Sequence, residues 1–491
     1  MNNQRYGMLF QTSENIFYYY DSGNGKVIKC NKEEKTIIEN ILNNSLTLNE
    51  ACSTNVDFRM FIKKEDLFKC PEKRKFIVPT KEEFVKAVKS SCEQIILELT
   101  EICNLRCGYC IYNEYHPDFR GFSNKEMKFD IAKKSIDYVL EDYKRDEFAL
   151  TFYGGEPLMN FSLMQKCIDY TKKKYKNIKL QIAFTTNLTL LTESMVRYFQ
   201  SLDDDVDIMC SLDGPSDLHD KYRRYANGRG TFDDAVKGLK LLVDKFYDVK
   251  KKKTVSINCV LTPPYSKKNM DTINDFFYKI LNIPEEIICN YSYVDGGNMT
   301  FDFEENEIIA DDITGKLKTS PLEEWAVDNM INGKDKLKFF NIVGTDMARV
   351  AGRMKEEKGI IERTYLQGNC IPGQRRIYVT VDGDFRPCEK VGNSVLLGNY
   401  KDGYDFDKSY KLYIEDYIKN FEKSCDKCWA RPMCSICYDQ TMDGNGVKKI
   451  SQEEICDSSR RIIKDLFINY YRLFEQDREG LEYLLKKTEF S

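Results

Sequence analysis

Six strand-like runs alternate with helical runs between Gln94 and Tyr293, and each helical run shows the 3.6-residue apolar period. Cysteine is abundant, with 18 in the chain, and it clusters after the first of those strands and again from Cys370 onward. These observations predict an α/β chain built on a partial (βα)6 TIM-like barrel. A winged-helix-like module precedes the barrel and a cysteine-dense domain follows it.

Residues 1–90 are the module and its linker. Tyr6–Phe10, Ile16–Tyr20 and Lys26–Cys30 read as strands, the last two joined by a turn at Ser22–Gly25. Ile37, Ile38, Ile41 and Leu42 give Lys32–Leu42 a helical spacing. Leu46–Val56 reads as a second helix and Phe58–Phe68 as a closing ribbon, which together give the winged-helix shape. A charged linker, 71–90, leads into a helix.

The barrel spans 91–300. Its strands are expected at Gln94–Thr100, Phe148–Tyr153, Leu180–Thr185, Asp207–Leu212, Thr254–Val260 and Glu286–Tyr293. Its helices are expected at Lys125–Glu141, Phe161–Lys174, Glu193–Leu202, Phe232–Phe246 and Asn269–Leu281. Consecutive βα units make a parallel sheet whose chemistry sits where strands end. A helical bridge, 301–367, holds helices near Leu322–Ile331 and Asp346–Glu357. A cysteine domain fills 368–457, and 458–491 is a C-terminal helix, amphipathic over Ser458–Leu485.

The formal net charge is −4, which argues against a polyanion binder and hence against nucleic acid. No export signal and no run long enough to span a membrane is visible, so a cytoplasmic protein is expected. In a reducing cytosol clustered thiols are metal ligands rather than disulfides. With only 2 histidines, mixed Cys/His zinc sites are hard to build.

Cys103-x3-Cys107-x2-Cys110 follows the first barrel strand directly. One short loop can wrap three thiolates around a metal centre. An iron–sulfur cube that only carries electrons takes four protein ligands, so three leave one iron open for chemistry. A zinc site completed by His116 fits the same spacing. The later strand ends carry Tyr153-Gly154-Gly155-Glu156-Pro157, then Thr185-Thr186-Asn187, then Ser211-Leu212-Asp213-Gly214-Pro215 with His219, Asp220 and Arg223. All of these converge on one barrel mouth.

On these motifs residues 92–300 resemble the radical S-adenosylmethionine superfamily. The resemblance implies a [4Fe-4S] cluster on Cys103, Cys107 and Cys110 whose open iron chelates S-adenosylmethionine. It implies that Gly154, Gly155, Glu156 and Pro157 hold the methionine amino group, with Glu156 fixing the turn. Asn187 and Ser211 would contact ribose or methionine. Arg223, or its neighbour Arg224, would pair with the carboxylate. Asn258 would face the adenine, and Tyr109 would cover the cluster or the adenine. His219 reads as a loop brace. Asp213 is a candidate base or a turn anchor.

The second set of thiols is Cys370, Cys388, Cys425, Cys428, Cys434, Cys437 and Cys456. Arg376–Arg386 between the first two reads as a β-hairpin with an Asp382-Gly383 turn. A pair of zinc ribbons is the competing reading, but seven thiols cannot fill two four-thiol sites. Gly383-x4-Cys388 and Cys425-x2-Cys428-x5-Cys434 resemble the SPASM domain of radical enzymes that act on peptides. The step to Cys437 has two residues where that family usually has three. The resemblance implies two auxiliary clusters, three [4Fe-4S] in all. Cys425, Cys428, Cys434 and Cys456 would hold one. Cys370, Cys388 and Cys437 would hold the other, with one iron left for a substrate thiolate. Cys289 could fill that place instead, although it reads as a buried thiol, like Cys30, Cys52, Cys70, Cys92, Cys167, Cys210 and Cys259.

Residues 1–70 carry nine Lys/Arg and nine Asp/Glu, so no basic stripe marks a DNA-binding helix. The module is similar to the recognition element of ribosomal-peptide maturases, in which a leader peptide adds a strand to a sheet edge. The function expected from these resemblances is an oxidoreductase that installs thioether links in a Cys-rich precursor peptide. It would take electrons from an external donor such as flavodoxin or ferredoxin. Carbon–carbon crosslinking and formylglycine formation in a sulfatase are the alternatives within the superfamily. A non-catalytic zinc or electron-carrier protein is the alternative outside it.

Overall fold

The computed structural model describes residues 5–12, 16–117, 119–294, 299–301, 303, 310–311, 316–317, 320–333, 339–356, 359–365, 370–392, 394–448 and 452–489. The N-terminal module is an antiparallel meander of β1 (Gly7–Gln11), β2 (Phe17–Asp21) and β3 (Val27–Cys30), followed by α1 (Lys32–Leu42), α2 (Leu48–Thr54) and α3 (Val56–Glu65). The ribbon expected at Phe58–Phe68 is therefore largely helix. Asn55 caps the Phe58 N–H at 2.8 Å, and Phe58, Phe61 and Ile62 follow the helical spacing that packs beneath the sheet. Asp66, in the left-handed region at φ 61, ends the helix.

The expected linker is structured. It holds β4 (Lys75–Ile77) and α4 (Lys81–Ser91), the latter started by a reciprocal Thr80–Glu83 capping box. The barrel strands are β5 (Gln94–Thr100), β6 (Glu147–Gly154), β7 (Lys179–Thr186), β8 (Asp205–Ser211), β9 (Lys253–Leu261) and β10 (Ile288–Tyr293). They pair in parallel and in chain order. The helices between them are α5 (Phe129–Leu140), α6 (Phe161–Lys174), α7 (Glu193–Ser201), α8 (Ser216–Tyr222), α9 (Phe232–Lys245) and α10 (Lys267–Asp275). Alternate strand residues such as Leu97, Leu150, Ile182, Ile208 and Ile257 bury against those helices. The opposite face carries Glu98, Thr151, Ala183, Ser211 and Asn258. That face lacks the bulky aliphatic layers that fill a closed barrel.

In the bridge the described residues form β11 (Ala310–Asp311), β12 (Lys316–Leu317), α11 (Pro321–Ile331), α12 (Phe340–Ala351) and β13 (Arg363–Tyr365). The helix expected at Asp346–Glu357 thus begins and ends earlier. β13 pairs in parallel with β4 of the former linker.

The C-terminal part holds β14 (Arg376–Val379), β15 (Asp384–Arg386), β16 (Gly398–Asn399), β17 (Gly403–Tyr404), α13 (Phe406–Tyr410), α14 (Tyr417–Cys425) and α15 (Tyr438–Thr441). A short pair, β18 (Met442–Asp443) and β19 (Gly446–Val447), follows. β14 and β15 are the expected hairpin, with Gly383 at φ 90 in its turn. β14 also pairs in parallel with β5, so the hairpin continues the barrel sheet to ten strands. The tail is two helices, α16 (Gln452–Gln476) and α17 (Arg478–Glu489), broken at Asp477, whose carboxylate caps the Gly480 N–H at 3.0 Å. α16 runs unbroken across the boundary expected at 457/458. It packs Ile463, Leu466 and Phe467 against Phe10 and Tyr20 of the N-terminal sheet.

Candidate functional site

Cys103, Cys107 and Cys110 lie in the loop after β5, and burial pushes each thiol up. Cys107 and Cys110 raise Cys103 further, and Cys110 raises Cys107, so the three share one neighbourhood. The loop is tied to the end of α8 and the residues just after it. The Arg106 N–H donates to the Arg224 carbonyl at 2.8 Å, and the Gly108 N–H to the Tyr222 carbonyl at 2.9 Å. Gly108 packs closely on Phe301: a Cβ there would stand 2.6 Å from the ring and would require it to shift.

The Gly154–Pro157 turn presses on this loop from β6. Gly154 adopts φ 142, and a Cβ on Gly155 would stand 2.2 Å from the Ile102 carbonyl oxygen. The Gly155 and Glu156 N–H groups donate to the Thr100 and Ile102 carbonyls at 2.8 and 2.9 Å. Glu156 is buried. It accepts from the Asn187 N–H at 2.8 Å, the Thr186 hydroxyl at 2.9 Å and the Leu158 N–H at 3.2 Å. Burial pushes its carboxyl up to about 7. One side chain thus ties the ends of β6 and β7 together. Asn187 donates to Asn104 at 2.9 Å and lies 4.0 Å from the Cys103 sulfur.

Asp213, Tyr109 and Arg223 form a buried clamp under the same loop. Tyr109 donates to Asp213, and Arg223 Nη1 donates to the Tyr109 hydroxyl at 2.8 Å. Asp213 also accepts from the Val260 N–H at 3.0 Å. With both carboxylate oxygens engaged, Asp213 suits a clamp better than a base. Tyr109 is likewise anchored by its hydroxyl rather than free to swing. Arg223 is 7% exposed, and its Nε has no hydrogen-bond partner among the described residues. An unpaired guanidinium donor near Cys107 and Cys110 is the group a ligand carboxylate would satisfy. The neighbouring Arg224 is exposed, and its Nε donates to the Asp220 carbonyl at 2.8 Å. His219 braces the loop as expected. It accepts from the Asp213 N–H at 3.2 Å and meets the Thr231 hydroxyl at 3.0 Å, and burial, then Arg223, pushes it down to about 2. Ser211 and Asn258 stand side by side on β8 and β9.

The C-terminal thiols separate into two neighbourhoods. Cys428, Cys434 and Cys456 all act on Cys425. Cys437 and Cys370 both act on Cys388. Among the described residues no three Cys, His, Asp or Glu side chains converge on a single-ion site. Cys289 lies on the helix-facing side of β10 beside Tyr278 and Cys259.

Several site residues escaped the sequence reading. Glu98 of β5 is 1% exposed, binds Arg120 of the cysteine loop at 2.5 Å and accepts from the Val381 N–H of the hairpin turn at 3.1 Å. A carboxylate inside the apolar run Gln94–Thr100 was its readable signal. Arg74, also 1% exposed, donates to the Ser22, Ile361 and Cys428 carbonyls at 2.6, 3.2 and 3.3 Å. Nothing local in the sequence marks it.

A parallel open sheet with a three-thiol loop at the first strand end and a Gly-Gly-Glu-Pro turn at the second defines the class, and residues 97–277 match the family model of the Radical SAM superfamily. Residues 97–277 thus carry a radical S-adenosylmethionine domain, and the chain is similar over most of its length to maturation proteins. It is 25% identical over 370 residues to AlbA, the antilisterial bacteriocin subtilosin biosynthesis protein of Bacillus subtilis, covering 73% of this chain and 69% of AlbA. It is 23% identical over 361 residues to the cysteine-type anaerobic sulfatase-maturating enzyme of Clostridium perfringens, covering 70% of this chain and 88% of that enzyme. The solved structure of anSMEcpe with bound AdoMet superposes with a TM-score of 0.55 at 20% identity, over 77% of this chain and 98% of that one. Two further relatives, from Methanocaldococcus jannaschii and Bacteroides thetaiotaomicron, are spanned over only 57% and 42% of their lengths. No helix among the described residues is long and apolar enough to cross a membrane.

Proposed function

We propose that this protein is a peptide maturase that forms thioether links between cysteine sulfurs and carbon atoms of a ribosomally made, Cys-rich precursor. Cys103, Cys107 and Cys110 would hold one [4Fe-4S] cluster. The thiol-only donor sets suit iron–sulfur centres. S-adenosylmethionine bound there would supply carbon-centred radical chemistry. The chain's own groups bind and orient that cofactor. Glu156 fixes the turn whose backbone would meet the methionine end, and the Arg223 Nε would donate to its carboxylate. Asn187 and Ser211 would contact ribose or methionine, and Asn258 would face the adenine.

Cys425, Cys428, Cys434 and Cys456 would hold a fully ligated auxiliary cluster. Cys370, Cys388 and Cys437 would hold another that lacks one thiolate. That three-thiol count is the observation that carries the reading, because a vacant iron is where a substrate thiol can be bound, deprotonated and aimed. The leader of the precursor would add a strand at the edge of β3, and a flavodoxin or ferredoxin would supply electrons.

Anaerobic reconstitution tests the reading. The expected yield is about twelve irons per chain, with deoxyadenosine released under dithionite. Adding a synthetic peptide from a small Cys-rich reading frame beside the gene should change the spectrum of an auxiliary cluster. Unchanged cluster spectra with that peptide, or zinc in place of iron, contradict the reading.

A further inference from the structure

Cys456, Ser459 and Arg460 are spaced i, i+3 and i+4 on α16, so they share one face of that helix. Packing of Ile463, Leu466 and Phe467 against the N-terminal sheet holds the helix in place. The Ser459 hydroxyl lies 3.5 Å from Cys434 Sγ, and Arg460 Nη1 donates to Cys428 Sγ at 3.9 Å. Neighbouring side chains of one helix turn therefore each meet a different cysteine sulfur. Backbone turns link those cysteines to one another and to Cys425. The Cys428 N–H donates to the Cys425 carbonyl at 3.1 Å, the Arg431 N–H to the Cys428 carbonyl at 3.3 Å, and the Cys434 N–H to the Arg431 carbonyl at 3.3 Å. Arg460 Nη2 donates to Asp457, which leaves Nη1 for the sulfur. The Asp457 side chain is 69% exposed against 23% for Arg460, so water screens the carboxylate more than the guanidinium.

We propose that Ser459 and Arg460 set the reduction potential of the cluster on Cys425, Cys428, Cys434 and Cys456. This rests on the ligand set given under the proposed function, whose all-thiol donors suit an iron–sulfur centre. A thiolate bound to iron carries no proton, so Ser459 is the donor to Cys434. Uptake of one electron from a reductant adds negative charge that spreads onto the thiolate sulfurs. No bond forms or breaks and no proton moves. A hydroxyl donor on one sulfur and a cation beside another both favour the reduced form, so both raise the potential. Ser459 and Arg460 are thus positioning residues that act through the ligands.

The test uses the full chain reconstituted anaerobically, as wild type, Arg460→Gln, Ser459→Ala and Cys456→Ser. Iron is counted, and cluster midpoints are read by redox titration followed by electron paramagnetic resonance. The signal altered in Cys456→Ser identifies the cluster. In Arg460→Gln its midpoint should fall by about 59 mV, about a tenfold change in the one-electron equilibrium. In Ser459→Ala the change should be about threefold, since a neutral hydrogen bond is about half as strong as a charged one. The remaining midpoints should stay where they are in both variants. If one variant fails to hold the cluster, the other decides by the same rule. Unchanged midpoints, or a shift confined to another signal, overturn the proposal. Loss of the cluster in both variants overturns it too, because the residues then serve assembly rather than potential. Wild-type iron of about eight rather than about twelve, or no signal altered in Cys456→Ser, overturns the ligand set itself.

Discussion

The two cysteine regions are built in opposite ways. Cys103, Cys107 and Cys110 come from one loop held by neighbouring strand ends. The C-terminal thiols are drawn from residues 370 to 456, across a hairpin, several turns and helix α16. The first region depends on local geometry: a glycine turn, a buried Glu156 and the Tyr109–Asp213–Arg223 clamp. The second depends on struts from far away in the chain. Arg74, near the N-terminal module, reaches the Cys428 carbonyl, and Arg431 donates to the Arg74 carbonyl at 2.8 Å while stacking 3.9 Å from the Phe76 ring. The lesson is that the N-terminal module forms part of the wall of the distal thiol site.

This contrast can be broken by substitution. The largest effect is expected from Cys107→Ala, which should abolish deoxyadenosine formation and remove about four irons while leaving the distal clusters in place. Gly155→Ala comes next. Its Cβ would collide with the Ile102 carbonyl, so binding of S-adenosylmethionine, read by calorimetry, should fall by about a hundredfold or more with little change in iron.

Arg74→Ala tests the other region. It leaves the Ser22 and Ile361 carbonyls short of a donor, while the Cys428 carbonyl keeps the Arg431 N–H at 3.3 Å, so a loss of about 2 kcal/mol in unfolding free energy is expected. The iron lost should be that of the Cys425–Cys456 set, with the first cluster retained. Loss of the first cluster instead would contradict the separation drawn here.

His219 gives a pH signature confined to the barrel. The fold keeps the ring neutral, from an ordinary 6.5 down to about 2, so the unfolded chain takes up the proton first. Its stabilising effect is complete above 6.5 and is lost as pH falls below that value, by about 2 kcal/mol at pH 5. The difference in melting temperature between wild type and His219→Gln should shrink on acidification. The smallest effect is expected from Asn258→Ala, about tenfold in affinity for S-adenosylmethionine, if one hydrogen bond to the adenine is lost.

The barrel was legible because its strands and helices have strong, separate periods, and its mouth because each motif follows a strand. What escaped was decided by tertiary contact. The aromatic run at Phe58–Phe68 fits a ribbon or a helix until its cap at Asn55 is seen. The pairing of β14 with β5 joins residues 376 and 94, and no local pattern signals it. Glu98 and Arg74 gain their roles only from partners brought in by the fold.

The most direct test of the central claim is the mass of a treated peptide. The enzyme, S-adenosylmethionine and a reductant are incubated anaerobically with the Cys-rich peptide, and the product is then alkylated with iodoacetamide. Thioether formation predicts a loss of about two hydrogens per link and one cysteine per link that no longer alkylates. A product of the same lowered mass whose cysteines all alkylate, or one that has lost sulfur to give an aldehyde, would contradict it.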